Sequence, residues 1–417
     1  MNQQLVRVAA FLLMASEVGC SPAGAVPSSP AGGAAAPGPQ PTIVLVSRGD
    51  PASLATRPFV ANVGTFQLTR VFNATLSFKD EQQAANPYLA ESLPRLNTGS
   101  WTVTPDGRMT TTWQLRPNLT WHDGAPLTAD DFVFASQVYA RPDLGAAQST
   151  PIKQIEGIEA PSPNTVVVRW KQLYADAVVE NGGFYALPRH VLQDALDGQD
   201  SAAFIANPFW VAGYVGAGPF KLTDYVPGDH LDALAFDAHA LGRPKIDKIR
   251  IRFIGDAHTV VANLLSGDVH FADTFTINPT DGVSLEKDWA ASGQGGVLWS
   301  PTTIRMALVQ WRPDYAEPKA LVDLRMRQAL AHGFDVPSVI ETLNYGKGAQ
   351  TPSVTIPTTA FYAEIDKVVT RYAYDARRVA QLMEQVGFSR GADGMYADAG
   401  GTSFNVEVSS VGDDKNV

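Results

Sequence analysis

Among 417 residues there is a single cysteine, Cys20. That count excludes an intrachain disulfide framework and any zinc site built from several thiolates. Positive charge is also short: 32 Lys and Arg stand against 42 Asp and Glu, a formal net charge of -10. No electrostatic case exists for binding nucleic acid. The seven histidines are scattered, with no His-Glu-x-x-His pattern and no cysteines behind them, so no metal and no cofactor is expected. Nor does the spacing give a Ser/His/Asp or Cys/His nucleophile set, and catalytic residues are expected to be absent. What remains is 45% hydrophobic and 18% charged, the balance of a folded chain long enough for two or three cores.

The longest early apolar run, Val8 to Ala15, follows Arg7. It is far shorter than the ~18 or more residues of a spanning helix and reads as an export signal over residues 1–20. Residues 21–41 are rich in Pro, Gly, Ala and Ser and cannot bury a core, so they read as a disordered linker. A lone Cys20 between the two resembles a bacterial lipoprotein, with Cys20 lipidated. Glu17 departs from that pattern, and cleavage after Ala23-Gly-Ala25 is the alternative.

The body opens with a strand at Thr42–Val46. A hairpin is expected from Trp101–Val103 and Met109–Leu115 around Pro105-Asp-Gly107, with Met109, Thr111, Trp113 and Leu115 on one face. Thr128 and Asp131 form a capping-box pattern before a helix that turns Phe132, Ala135, Val138 and Tyr139 inward. A second hairpin joins Ile155–Ala160 to Thr165–Trp170. Pro188 opens a helix with Val191, Leu192, Ala195 and Leu196 inward. Asp256, Asp323 and Asp375 cap three more helices, the first carrying Val260, Val261, Leu264 and Leu265 and ended by Gly267. Ala307–Arg312 and Phe404–Val408 alternate as strands. Strands and helices mix without strict alternation, so the class is α/β to α+β.

Three of these segments carry motifs that invite a chemical reading. Trp121-His-Asp-Gly124 reads as a tight turn presenting Trp121 to a core, because no second base accompanies it. Gly216-Ala-Gly-Pro219 lacks the Lys-Ser/Thr of a phosphate loop and reads as a tight chain return. Asp323-Leu-Arg-Met-Arg327 offers cations either to a ligand anion or to local ion pairs on a helix face.

Order and spacing of several blocks name a family. They are Asn86-Pro-Tyr-Leu-Ala-Glu-Ser-Leu93, Pro105-Asp-Gly107, Trp113-Gln-Leu-Arg-Pro117 and Trp121 through Phe134. Leu187-Pro-Arg-His190, Gly216 through Leu222, Gly242 through Asp247, Leu265-Ser-Gly-Asp268 and Asp323 through Leu330 follow in order. Together they resemble the peptide- and oligopeptide-type solute-binding proteins of ABC importers. His270 and Gly333-Phe-Asp-Val336 depart from the family's usual residues.

The resemblance implies a two-lobed, periplasmic-binding-protein-like (Venus-flytrap) α/β fold with an inserted small α+β domain. It assigns 42–78 and 202–272 to the first lobe, 79–201 to the inserted domain and 273–417 to the second lobe. It also implies a second lobe that stops short after the strand at Phe404–Val408. Ligand-binding residues carried over are Ser47, Arg48, Phe72 and Asn73 from the first lobe and Gln310, Trp311 and Arg312 from the second. For Phe72 and Trp311 a core role stands equally open. The implied function is capture of a small solute by hinge closure and its delivery, by an extracytoplasmic monomer, to a membrane permease. A peptide is the expected solute, with oligosaccharide and nickel chelate as alternatives. A ligand-presenting receptor or adaptor, a non-functional truncated member and a secreted hydrolase are the other classes.

Overall fold

The computed structural model describes residues 42–55, 63–81, 84–144, 150–178, 184–198, 200–273, 275–299, 304–359 and 361–409. The expected signal segment and linker, with Cys20, lie outside them. In chain order the elements begin with β1 (Thr42–Ser47), α1 (Val63–Phe72), β2 (Ser77–Lys79) and β3 (Ala85–Pro87). Next come β4 (Trp101–Val103), β5 (Met109–Gln114), α2 (Ala129–Ala140), β6 (Ile155–Ser162) and β7 (Thr165–Trp170). Then follow α3 (Arg189–Asp197), α4 (Ser201–Ile205), β8 (Phe220–Val226), β9 (His230–Ala235), β10 (Lys248–Phe253) and α5 (Ala257–Ser266). The chain continues with α6 (Pro279–Ser292), α7 (Leu324–Gly333), α8 (Val336–Asn344), α9 (Tyr362–Val368), α10 (Ala376–Gln385), β11 (Phe388–Arg390) and β12 (Tyr396–Asp398).

One sheet runs β1-β10-β9-β8, with β1 parallel to β10 and the rest antiparallel. β1 is apolar along its length because both its faces are covered. Ile43 and Leu45 pack on the main core, while Val44 and Val46 meet Val260 of α5 and Val269. Asp256 caps α5 by accepting the Thr259 N–H at 2.8 Å, and Gly267 ends it at φ 83°. The chain then returns beside the free edge of β1, where the His270 N–H donates to the Val44 carbonyl at 2.8 Å. On the same sheet Asp232 faces Arg250 across the ladder and receives its guanidinium through two bonds of 2.7 and 2.8 Å, with Lys248 2.7 Å away.

A second sheet, β4-β5-β7-β6, backs onto α2. The alternation in β5 is as expected: Met109, Thr111, Trp113 and then Leu115 are buried. Thr111 is the one polar member, and its hydroxyl oxygen accepts both the Trp170 and Trp113 indole N–H groups, at 3.0 and 3.3 Å. The Asp131 carboxylate accepts the Thr128 N–H at 2.9 Å at the start of α2, and Phe132, Ala135, Val138 and Tyr139 are buried as the spacing predicts. One continuous core runs from Leu54 to Ile251 through both sheets. A smaller, separate core joins Met326 and Ala329 of α7 to Leu382 and Met383 of α10, with Asp323 and Asp375 capping those helices.

Four expectations need correction. Val191 and Leu265 are exposed rather than inward, since α3 and α5 bury narrower stripes centred on Leu192 and Val260. Ala307–Arg312 is not a strand; it has no ladder partner among the described residues, and only Val309 turns to the small core. Phe404–Val408 is not a strand either. Ser403 and Phe404 reach β12, but the residues beyond find no neighbour there. Alternation proposes a strand, and only a partner backbone makes one.

The Arg250 guanidinium beside Asp232, with Lys248, lowers the Asp232 carboxyl from the usual 3.8 to about 2. A lowered carboxylate stabilises the fold above its unfolded value and loses that contribution as pH falls through the folded value. Asp232→Asn is therefore expected to cost about 1–3 kcal/mol near neutral pH. Melting curves should show the gap between variant and wild type closing as pH drops from about 4 towards 2. A gap that stays constant across that range contradicts this reading.

Candidate functional site

The turn at Trp121–Gly124 closes through the Gly124 N–H on the Trp121 carbonyl at 2.9 Å, with Gly124 at φ 90°. Trp121 is buried as expected, and its indole N–H donates to the Asp131 carboxylate at 3.3 Å. The other Asp131 oxygen accepts the Arg189 N–H at 3.0 Å, tying the Leu187-Pro-Arg-His190 block to the same place. His190 reaches back to Asp123 at 2.7 Å.

His122 is the centre of this arrangement and is only 3% exposed. Its Nδ1 accepts the Gly216 N–H at 3.2 Å, and its Nε2–H donates to the Gly218 carbonyl at 3.0 Å. Burial pushes the imidazole down to about 4, so the ring is neutral at physiological pH. Both nitrogens are engaged, which leaves none to act as a general base.

The glycines it holds are pressed against the end of α1. The Gly218 N–H donates to the Phe72 carbonyl at 2.9 Å. A Cβ on Gly216 would lie 2.0 Å from the Phe72 carbonyl oxygen, and one on Gly218 would lie 2.4 Å from the Asn73 nitrogen. Gly216-Ala-Gly-Pro219 is thus more than a chain return, because two backbones meet here without side chains between them.

The nominated first-lobe residues surround this contact. Asn73 is buried; its Nδ2 donates to the Leu54 and Thr69 carbonyls at 2.8 and 2.9 Å, and its Oδ1 accepts the Tyr214 hydroxyl. Phe72 is fully buried with its ring edge-on to Tyr214. Ser47 is buried at the end of β1 and donates to the Gly49 carbonyl at 3.0 Å. Arg48 alone is exposed, and among the described residues its side chain makes no hydrogen bond or ion pair. The loop carrying it is held beyond by Asp50, whose carboxylate accepts the Gly228 N–H at 2.9 Å. Three of the four hold the scaffold, and Arg48 projects from it.

Gln310, Trp311 and Arg312 are exposed beside the small core. Trp311 is 58% exposed, and the Arg327 guanidinium sits 5.5 Å from its ring. Arg312 lies 4.6 Å over the Tyr315 ring and donates to Gln310 Oε1 at 3.1 Å. The two cations of the Asp323–Arg327 motif diverge: Arg325 pairs with Asp323 at 2.6 Å, while Arg327 joins Trp311. Tyr315 was not among the residues nominated from sequence. Its spacing of three from Arg312 is the only local signal for it.

Two cavities stand out among the described residues. One of about 40 Å³ lies behind β5 and β7, and the other is an open depression beside α3. Neither is lined by a nominated residue. No group of three His, Cys, Asp or Glu among the described residues could hold a metal, and no helix there is long and apolar enough to cross a membrane.

Gly218→Ala and Gly216→Ala are each expected to destabilise by at least about 2 kcal/mol, because the obstructing atoms are backbone. Gly157→Ala, with no atom within 4 Å of the added carbon, is the control and should be nearly neutral. Denaturant melts that ranked the three alike would remove the joint from this account.

The family model for bacterial extracellular solute-binding proteins, family 5 Middle, matches residues 86–416. A putative ABC transporter peptide-binding protein of Brucella ovis is 24% identical over 347 residues, covering 80% of this chain and 58% of that protein. The oligopeptide-binding protein AppA of Bacillus subtilis is 24% identical over 367 residues, covering 87% of this chain and 62% of AppA. The AppA structure in complex with a nonapeptide superposes with a TM-score of 0.59 at 22% identity, over 88% of this chain and 68% of that one. NikA from Brucella suis, in complex with Fe(III)-EDTA, gives 0.64 at 18% identity, over 87% and 68%. The chain therefore spans about six tenths of the length of these curated relatives. With 331 of its 417 residues inside the family model, the chain belongs to the bacterial extracellular solute-binding proteins of family 5.

Proposed function

We propose that this protein is the extracytoplasmic solute-binding component of an ABC importer. It captures a small solute, a peptide in the first instance, and delivers it as a monomer to a membrane permease. Family membership carries this reading, and the relatives whose names state a ligand supply the choice of peptide. The chain does no covalent chemistry, and affinity comes from burying the solute and satisfying its polar atoms. Ligand binding would close the lobes by hinge motion, giving the permease a liganded form to recognise. The nominated residues divide their work accordingly. Arg48, at the carboxyl end of a strand in a parallel pair, offers a guanidinium to a solute carboxylate, where open sheets commonly receive ligands. Trp311 and Arg312 offer a ring face and a second cation. Ser47 acts from inside by bonding Gly49 beside Arg48, while Phe72 and Asn73 hold the scaffold at Tyr214 and Leu54.

The test is titration with a mixed-sequence peptide pool, followed by mass spectrometry of what the purified protein retains. Arg48→Ala and Trp311→Ala are each expected to weaken binding about tenfold, about 1.4 kcal/mol. Both should leave stability within about 0.5 kcal/mol, since surface changes rarely do more. If Trp311→Ala instead costs the ~3–5 kcal/mol of a core deletion, or neither variant changes affinity, this assignment fails.

Anchoring is proposed through Cys20, on the evidence of the short apolar segment, the lone cysteine and the Pro/Gly/Ala-rich residues after it. Cys20→Ser should move the protein from the membrane to the soluble fraction of fractionated cells. Unchanged membrane association would instead favour cleavage near Ala25.

A further inference from the structure

The cavity behind β5 and β7 lies apart from every residue given a role above. Its volume is about 40 Å³, and its described lining includes the rings of Trp113, Trp170, Tyr174 and Phe184 with Ser77 and Asp176. Trp170 and Tyr174 stack with centroids 5.0 Å apart and planes 29° from parallel. Trp113, Trp170 and Phe184 are buried, and Asp176 is exposed.

Three observations bear on what this space accepts. First, its polar floor is already satisfied. Both indole N–H groups rest on Thr111, and the Ser77 hydroxyl donates to the Val178 carbonyl at 2.9 Å. Second, Asp176 is the one charged residue of the described lining, and it has no hydrogen bond or ion pair among the described residues. Third, the space, about 40 Å³, exceeds the ~10–15 Å³ that one water needs and falls far short of the ~150 Å³ that takes a benzene ring, so it admits an ammonium or a methyl group and no ring. Aromatic faces attract cations through their quadrupole, and a carboxylate beside them adds to the attraction.

We propose that the inserted domain carries an ammonium-binding pocket, in which these rings and Asp176 take the tip of a primary alkylammonium group. Such a group could belong to a free amine or to a lysine side chain, and both carry the same head. This site is independent of the solute site, so either can fail alone.

The experiment follows the indole N–H resonances of Trp113 and Trp170 in the ¹⁵N-labelled protein. The probes are n-butylammonium chloride, its neutral isostere n-butanol, and an N-acetyl-lysine amide, at constant ionic strength. Saturable shifts of both resonances are expected with the two ammonium probes and not with butanol. Asp176→Asn, a surface change that should leave the fold intact, should weaken the ammonium probes about threefold to fivefold. Trp170→Phe should weaken them by a smaller factor while keeping a ring in place. Butanol binding as well as butylammonium would make the cavity an apolar void, and an Asp176→Asn variant with unchanged affinity would remove the carboxylate's role. Absence of any saturable shift would mean the space is only a packing gap. Each of these three outcomes overturns the proposal.

Discussion

A neutral imidazole bridging two glycines holds the turn at Trp121–Gly124 to the segment before β8. His122 receives the Gly216 N–H on one nitrogen and gives a proton to the Gly218 carbonyl from the other. That pairing fixes where the segment before β8 lies, and that segment in turn presses on the carbonyl of Phe72. Through Asn73 the same contact reaches Leu54, Thr69 and Tyr214. The blocks that identify the family, from Trp121 to Asp131, from Leu187 to His190 and from Gly216 to Pro219, therefore meet in one joint. Their shared task is architecture, while Arg48, beyond the end of β1, is exposed.

The division explains why buried and exposed members of the nominated site behave so differently. Asn73 spends all its hydrogen-bonding capacity inside the protein, which suits a residue that sets geometry. Arg48 spends none among the described residues, and its loop is pinned by Asp50 to the turn at Gly228. Trp311 is different again, with one cation already near its ring and more than half its surface in solvent.

Local chemistry was legible in the sequence. The caps at Asp256, Asp323 and Asp375, the stop at Gly267, and the alternation from Met109 to Leu115 each need only a few neighbouring residues, and each formed as expected. Interactions across long separations were not legible. Nothing near His122 announces that its ring partners lie 94 and 96 residues away, or that Gly216 and Gly218 are small because Phe72 is behind them. The same limit explains the two strands that did not form, since Ala307–Arg312 and Phe404–Val408 have the right alternation but no ladder partner among the described residues. Of the site, the residue positions came from resemblance. Which of them point inward, and the pairing of Trp311 with Arg327, emerged only from the packing.

The joint depends most directly on the state of His122, and nitrogen NMR of its ring reads that state. The expected spectrum shows one protonated nitrogen, Nε2, and one bare acceptor, Nδ1, with no change as pH is lowered from 8 to about 5. Protonation should begin only near pH 4, together with loss of the folded signal. A ring that titrates freely near 6.5, or that carries its proton on Nδ1, would contradict the joint and the reading of the family's blocks built on it.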